Sequence, residues 1–229
     1  MARVGVVIPA GGKGLRFGQK QPKQFLLLRN KPILQWTIGI FDALPIVHEI
    51  IVVAPTAHVA RVRRLIARAG FRKVSSVIPG GAERQDSVRN GLSSFTRHPD
   101  IVLVHDAVRP LVGEKIIRSV IRAAGRFRAA AVGLPVKDTV KVEGKKGFST
   151  KTLRRDSLWT VQTPQGFNYR LLLRAHKLAQ GARFIGTDES SLVERLGVPV
   201  KIVPGDERNV KITTKEDLAL AKLIMKPEL

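Results

Sequence analysis

The sequence predicts an α/β fold, a Rossmann-like and mostly parallel sheet flanked by helices, with a projecting β-hairpin arm. Short apolar, β-branched runs alternate with segments of helical periodicity, which is typical of repeated β-α units. The 229 residues are 44% hydrophobic, enough for one substantial core. A polar segment interrupts the alternation once. We therefore expect one domain over residues 1–229, with an arm insertion at about 136–158.

Six apolar runs rich in valine and isoleucine predict the strands of the sheet. They are Val4–Pro9, Glu49–Ala54, Lys73–Ile78, Ile101–Val104, Ala130–Leu134 and Val198–Val203. Seven segments between or after them show 3.6-residue periodicity or capping residues and predict helices. They are Ile33–Leu44, Ala57–Ala69, Arg84–Phe95, Glu114–Arg126, Tyr169–Ala179, Thr187–Leu196 and Thr214–Met225.

The arm is predicted from two polar strand-like stretches around a glycine-containing turn. Thr139–Glu143 leads into Gly144-Lys145-Lys146-Gly147, and Phe148–Leu153 follows. A two-stranded hairpin is marginally stable alone, so we expect it to lean on a second subunit. A free, flexible insertion is the alternative.

The charge and composition restrict the classes of function. The formal net charge is +22, which attracts nucleic acid, anionic lipid or small polyanions without choosing among them. Aromatic residues make up only 5%, and no basic run is interleaved with them, so a nucleic-acid module is disfavoured. The chain has no cysteine and no apolar stretch of about 20 residues, so we expect a cytoplasmic protein without disulfides or membrane spans.

A glycine-rich loop leaves the first predicted strand, at the end of the sheet where ligands bind in parallel folds. It reads Pro9-Ala10-Gly11-Gly12-Lys13-Gly14-Leu15-Arg16-Phe17-Gly18, and Pro22-Lys23-Gln24 follows. Glycines let backbone N–H groups approach phosphate oxygens closely. The loop lacks the Gly-Lys-Ser/Thr of a Walker A motif and the third glycine of a dinucleotide fingerprint. Arg16 and Lys23 could both reach a triphosphate.

This opening resembles that of the nucleotidyltransferase (pyrophosphorylase) superfamily, and its Pro-Lys-Gln form is similar to the 2-C-methyl-D-erythritol 4-phosphate cytidylyltransferases. Further stretches of the chain resemble the motifs of that family in the same order. They are Gly80–Val88, His105–Pro110, Asp138–Lys141, Leu158–Gln165, Thr187–Ser191 and Asn209–Thr213. The resemblance covers essentially the whole chain.

The resemblance implies transfer of CMP from CTP to 2-C-methyl-D-erythritol 4-phosphate with release of pyrophosphate, a step in non-mevalonate isoprenoid precursor biosynthesis. The substrate phosphate would attack the α-phosphate in line. The phosphate monoester of the acceptor is mostly ionised at pH 7, so the reaction requires no general base. The family also implies Mg²⁺ bound mainly through the CTP phosphates, and a homodimer in which each arm crosses to the neighbouring subunit.

For the CTP half of the site, the resemblance assigns transition-state stabilisation to Arg16 and Lys23. The remaining CTP-binding residues it implies are Pro9, Ala10, Gly11, Gly12, Gly14, Gly81, Ala82, Glu83, Ser87, Asp106 and Ala107. Ala82 departs from a form of the motif with aspartate at this position, so only a backbone contact is expected there. We expect Arg84 to pack the start of its helix.

For the acceptor half, the resemblance implies a second cationic clamp that positions the substrate phosphate. Its residues are Arg155, Lys211, Thr139, Arg109, Asp106 and Thr187. Asp106 ends a predicted strand, where it could hold a ribose hydroxyl, the polyol or magnesium. No dedicated protein metal site is expected, because magnesium usually sits on substrate phosphates. His105 has no companion at metal-ligand spacing and is interpreted as structural.

Two other functions remain open from the sequence. Ribitol 5-phosphate cytidylyltransferases share the fold and the CTP loop, although Leu158-Trp159 and the stretch Thr187–Glu194 favour the methylerythritol enzyme. A basic nucleic-acid-binding protein is the remote alternative, and only the net charge favours it.

Overall fold

The computed structural model describes residues 2–11 and 22–225. Its strands are β1 (Val4–Pro9), β2 (Leu27–Leu28), β3 (Lys31–Pro32), β4 (Glu49–Ala54), β5 (Val74–Pro79), β6 (Ile101–Val104), β7 (Ala129–Pro135), β8 (Lys141–Glu143), β9 (Ser149–Thr152), β10 (Trp159–Asn168) and β11 (Lys201–Pro204). Its helices are α1 (Ile33–Ala43), α2 (Val59–Ala69), α3 (Arg84–Leu92), α4 (Glu114–Phe127), α5 (Tyr169–Gly181), α6 (Glu189–Glu194) and α7 (Lys215–Ile224).

Within the described ranges, seven strands form the central sheet in the order β11-β7-β10-β6-β1-β4-β5. β1 runs parallel to β4 and β6, β5 parallel to β4, and β11 parallel to β7. β10 is antiparallel to both of its neighbours, β6 and β7. The predicted α/β class with a mostly parallel sheet is confirmed.

Helices cover both faces of the sheet because its strands are apolar on both sides. In β1, Val4, Val6 and Ile8 pack towards α1, α2 and α4, whereas Val7 packs towards α3, α5 and α6. This alternation follows from the two-residue period of a strand. The carboxyl ends of β1 and β6 consequently open at one edge of a rigid sheet.

The strand β10 is the largest difference from the sequence prediction, which places only a motif there and no strand. It contains Pro164 and Gly166, residues that count against a strand in a sequence pattern. A register shift between Gln162 and Gln165 in its pairing with β7 accommodates the proline, and the Thr163–Pro164 peptide bond is cis. β10 then joins the two halves of the sheet.

Several predicted boundaries differ by a few residues from those observed. β11 begins at Lys201 rather than at Val198, and α3 ends at Leu92 rather than at Phe95. The helix α6 begins at Glu189, because Asp188 accepts a hydrogen bond from the backbone of Ser191 and acts as its N-cap.

The predicted hairpin is present as β8 and β9, which pair with each other in a separate two-stranded sheet. All residues of these two strands are exposed. Phe148, at the turn between them, exposes 73% of its surface. In the single chain, the hairpin therefore presents apolar side chains to solvent.

A buried carboxylate stabilises the end of the sheet that lies opposite to the carboxyl ends of β1 and β6. Glu49, at the start of β4, is 3% exposed. It accepts hydrogen bonds from the backbone and hydroxyl of Thr96 at 2.9 and 3.0 Å, from Ser75 at 2.7 Å and from Arg3 at 3.2 Å. Burial by itself would raise the pKa of Glu49, but these hydrogen bonds outweigh it and lower the pKa below its ordinary value of 4.5.

We expect Glu49→Gln to lower the free energy of unfolding by about 1–3 kcal/mol at pH 7, because the amide NH₂ would face donors in a buried site. The folded-state pKa is depressed, so the advantage of the wild type is complete above pH 4.5 and declines as the pH falls further. Denaturant unfolding at pH 7 and pH 3.5 measures both values. An equal difference at the two pH values would contradict the assignment.

Candidate active site

The candidate site lies at the carboxyl ends of β1 and β6. Pro9 and Ala10 are buried, and Gly11 is exposed. The predicted residues Gly12, Gly14 and Arg16 lie outside the described part of the chain. Across that interval, the side chain of Gln24 donates a 2.8 Å hydrogen bond to the carbonyl oxygen of Ala10. This bond holds the short 3₁₀ turn that begins at Lys23 beside the end of β1.

The predicted base-recognition stretch forms a tight turn into α3. The backbone N–H of Gly81 donates to Ser87 Oγ at 3.2 Å, and this hydroxyl donates to the carbonyl of Glu83 at 3.2 Å. A Cβ on Gly81 would lie 2.3 Å from that of Asp86, so the turn requires glycine there. Glu83 and Asp86 form a reciprocal capping box. Gly81, Ala82 and Glu83 therefore present an ordered, exposed edge, with Ser87 buried behind it.

Asp106 is the electrostatic centre of the site. It is 7% exposed and lies two residues beyond β6. Its Oδ2 atom is 2.9 Å from Lys211 Nζ and 3.5 Å from Arg109 Nε, and its Oδ1 atom is 3.3 Å from Arg84 Nη2. Burial opposes ionisation of Asp106, but the three cations outweigh it and hold its pKa well below the usual range.

Arg84 connects this centre to a second buried carboxylate. Its Nη1 atom lies 2.9 and 2.8 Å from the two carboxylate oxygens of Glu189, which is 1% exposed. Burial lowers the pKa of Arg84, yet the two carboxylates outweigh it and raise the pKa above its ordinary value. Burial raises the pKa of Glu189 against the opposing charge of Arg84. The sequence predicts only that Arg84 packs the start of its helix, but the side chain also joins Glu189 to Asp106.

His105 lies in the interior beneath Asp106. It is fully buried, with Nε2 3.0 Å from the carbonyl oxygen of Arg109 and Nδ1 3.1 Å from Thr163 Oγ1. Burial lowers the pKa of His105 to about 4, so the ring is neutral near pH 7. Ala107 is also buried, and its carbonyl oxygen accepts from Thr37. Both residues shape the turn after β6.

Lys211 is held in place by a buried asparagine that the sequence does not single out as a site residue. Asn209 is 0% exposed, and its side chain donates to the carbonyl oxygen of Thr163 at 2.9 Å and to Gln162 Oε1 at 3.2 Å. The backbone carbonyl oxygen of Asn209 accepts a 2.7 Å hydrogen bond from Arg109 Nη1. β10 therefore fixes the segment that carries Lys211.

The described residues do not bring all predicted acceptor contacts together within one chain. Asp106, Arg109 and Lys211 form the cluster above, and exposed Thr187 immediately precedes the N-cap of α6. Arg155 and Thr139 instead lie on or beside the exposed hairpin, where Arg155 donates to the carbonyl oxygen of Lys137 at 3.0 Å.

Neither a metal cage nor a membrane span is found in residues 2–11 and 22–225. No group of three or more histidine, aspartate or glutamate side chains there could hold a metal ion. Asp106 fits a metal ligand poorly in this arrangement, because both of its oxygens already lie in ion pairs. Over the same residues, no helix combines the length and apolarity needed to cross a bilayer.

Comparison with known proteins identifies the family. Residues 4–227 match the family model for 2-C-methyl-D-erythritol 4-phosphate cytidylyltransferase (IspD). A protein of that name from Pelotomaculum thermopropionicum is 43% identical over 227 residues, covering 99% of this chain and 95% of the relative. Another from Geobacter metallireducens is 46% identical, covering 97% of each chain.

Solved structures agree in fold. 4-Diphosphocytidyl-2C-methyl-D-erythritol synthase from Anaerococcus prevotii superposes with a TM-score of 0.84 at 27% identity, covering 97% of this chain and 95% of the other. 2-C-methyl-D-erythritol 4-phosphate cytidylyltransferase from Thermus thermophilus gives a TM-score of 0.77 at 33% identity, covering 97% and 98%.

Proposed function

The chain belongs to the 2-C-methyl-D-erythritol 4-phosphate cytidylyltransferase family, and we infer from this that it transfers CMP from CTP to 2-C-methyl-D-erythritol 4-phosphate and releases pyrophosphate. The match from residue 4 to residue 227 is the observation that carries this conclusion. The ion cluster around Asp106 supports it, because it places cations at the edge of the sheet where an anionic acceptor would bind.

We propose that the reaction is an in-line displacement without a general base. A phosphate monoester has a second pKa of about 6, so the acceptor oxygen is already ionised near pH 7. This matches the position of His105, which is buried and engaged on both ring nitrogens. The work left for the protein is to gather two polyanions and to stabilise the charge that develops on the α-phosphate.

In the CTP half, we assign this stabilisation to Lys23 and Arg16. The position of Lys23 supports this assignment, because Lys23 directly follows Pro22 and begins the turn that lies beside the end of β1. Gly11 and the exposed edge of Gly81, Ala82 and Glu83 offer backbone groups to the nucleotide. Further proposed CTP contacts are Pro9, Ala10, Gly12, Gly14, Ser87, Asp106 and Ala107.

In the acceptor half, we assign phosphate binding to Lys211 and Arg155, with Arg109, Thr139 and Thr187 as lesser contacts. Lys211 is 44% exposed at its side chain, so N–H donors remain for a ligand while one contacts Asp106. Asp106 is the hydroxyl acceptor at the centre of this half and would hold the polyol.

Magnesium is proposed to arrive with CTP, coordinated mainly by phosphate oxygens. When bound there, it neutralises part of the triphosphate charge. Asp106 is not proposed as a magnesium ligand, since its oxygens serve the three cations around it.

We further propose one nucleotidyltransferase domain over residues 1–229 that forms a cytoplasmic homodimer by arm exchange. The exposed apolar side chains Phe148 and Val142 support a protein partner for the hairpin. Arg155 and Thr139 lie at its root, so each arm would complete the site of the neighbouring subunit.

Pyrophosphate release separates the two polyol substrates. With CTP and Mg²⁺, we expect kcat/KM for 2-C-methyl-D-erythritol 4-phosphate to exceed that for ribitol 5-phosphate by at least about tenfold, a difference of about 1.4 kcal/mol. A larger value with ribitol 5-phosphate would reverse the acceptor assignment. Salt-dependent retention on DNA without CTP turnover would instead support the nucleic-acid-binding alternative.

A further inference from the structure

Glu189 is a buried carboxylate that the mechanism above does not use. It is the first residue of α6 and is 1% exposed. Both of its oxygens accept from Arg84 Nη1, at 2.9 and 2.8 Å. The helix is fixed independently, because Asp188 caps it and accepts from Gln165 of β10 at 2.6 Å. Glu189 is thus held rigidly with its charge directed at Arg84.

The guanidinium of Arg84 is divided between two carboxylates. Nη1 serves Glu189, and Nη2 lies 3.3 Å from Asp106 Oδ1. On its other oxygen, Asp106 faces Lys211 at 2.9 Å and, at a longer 3.5 Å, Arg109 Nε. Charges of alternating sign therefore run from Glu189 through Arg84 and Asp106 to Lys211, and the last of these is the most exposed.

We propose that Glu189 is a positioning residue for the acceptor substrate, acting through Arg84 on Asp106. This proposal rests on the proposed function, because it gives Asp106 and Lys211 their roles at the acceptor. Glu189 does not touch substrate in this scheme. Glu189 keeps the Nη1 atom of Arg84 engaged, so that only the Nη2 atom contacts Asp106.

Without the charge of Glu189, the guanidinium would be free to turn its full fork onto Asp106. Arginine pairs with carboxylates most strongly in the bidentate arrangement, which would occupy both oxygens of Asp106. The oxygen that now faces Lys211, where the polyol is proposed to bind, would be lost to the acceptor. The CTP side should be affected less, because Asp106 is only one of its proposed contacts. The Gly81 turn is held by Glu83, Asp86 and Ser87 through bonds that do not involve the Arg84 side chain.

The test is Glu189→Gln, with initial rates of pyrophosphate release measured while each substrate is varied in turn. We expect the KM for 2-C-methyl-D-erythritol 4-phosphate to rise about tenfold, equivalent to about 1.4 kcal/mol. The KM for CTP should rise by a clearly smaller factor, since Asp106 is only one of several proposed CTP contacts, and kcat should stay within about twofold. Glu194→Gln is the matched control, since Glu194 ends the same helix and is exposed. It should leave all three constants unchanged.

A double-mutant cycle distinguishes positioning from general destabilisation. If Glu189 acts through Asp106, Glu189→Gln should add less than about twofold to the acceptor KM of Asp106→Asn, because coupled residues are not additive. Arg84→Lys removes the shared fork and is the second variant if Glu189→Gln does not fold. It should show the same selective rise in acceptor KM.

Equal increases in both KM values, or fully additive effects in the cycle, would overturn the proposal. These outcomes are distinct from failure of the proposed function itself. In that case, the wild-type enzyme would show no turnover with CTP and 2-C-methyl-D-erythritol 4-phosphate.

Discussion

Lys23→Ala is expected to reduce kcat by about 100- to 1,000-fold, equivalent to about 3–4 kcal/mol of barrier, while the protein remains folded. Lys23 lies beside the end of β1, where Gln24 ties its turn to Ala10. At this position, an ammonium group can stabilise the charge that develops on the α-phosphate. The fold should survive because Lys23 is only partly buried, whereas Gln24 and Phe25 beside it make the core contacts.

Single-turnover kinetics at saturating CTP measures this loss directly, because the chemical step is then observed without product release. Lys115→Ala is the matched control, since it removes one lysine from the exposed first turn of α4. It should retain near-normal turnover. Near-normal turnover of Lys23→Ala would remove Lys23 from the proposed clamp.

Mixing inactive Arg16→Ala subunits with inactive Arg155→Ala subunits is expected to restore activity. If the arm serves the neighbouring subunit, one of the two sites in a mixed dimer combines an intact Arg16 with an intact Arg155. Random exchange at a 1:1 ratio makes half of the dimers mixed, so about a quarter of wild-type activity should return. An arm that serves its own chain leaves every site with one defect.

Subunit exchange must be established in the same experiment, for example by energy transfer between two labels. Mixing each variant with itself provides the background rate. If exchange is complete and no activity returns, the arm-exchange model is wrong. Recovery would also place Arg155 at the active centre, as the resemblance implies.

The sequence predicts β1 and β4 with their observed bounds because both strands are buried on both faces and read as uninterrupted apolar runs. The sequence also predicts the two strands of the hairpin, from turn residues between polar strand-like stretches, and β8 and β9 pair as expected. β10 is not predicted from its sequence pattern, because a proline and a glycine interrupt it. Its strand conformation depends on pairing with β6 and β7, which is tertiary information.

Some residues of the candidate site can likewise be predicted from the sequence, and others cannot. Motif resemblance indicates Asp106, Arg109 and Lys211, and the structure brings these three together. The roles of Glu189 and Asn209 are not visible in the sequence. Each depends on partners far away along the chain, as in the contact of Glu189 with Arg84, 105 residues earlier. A single sequence carries no signal for such pairs.

The continuity of β10 has a consequence for how the molecule can vary. The strand starts at Trp159, just after the hairpin, and continues to Thr163, whose hydroxyl accepts from the backbone of Asp106. A residue inserted early in this strand would turn every later side chain to the opposite face, because strands repeat every two residues. The tip at 144–148 carries no such restriction. A change in the length of that tip leaves the register of β10 unchanged, whereas a change in the number of residues early in β10 shifts it.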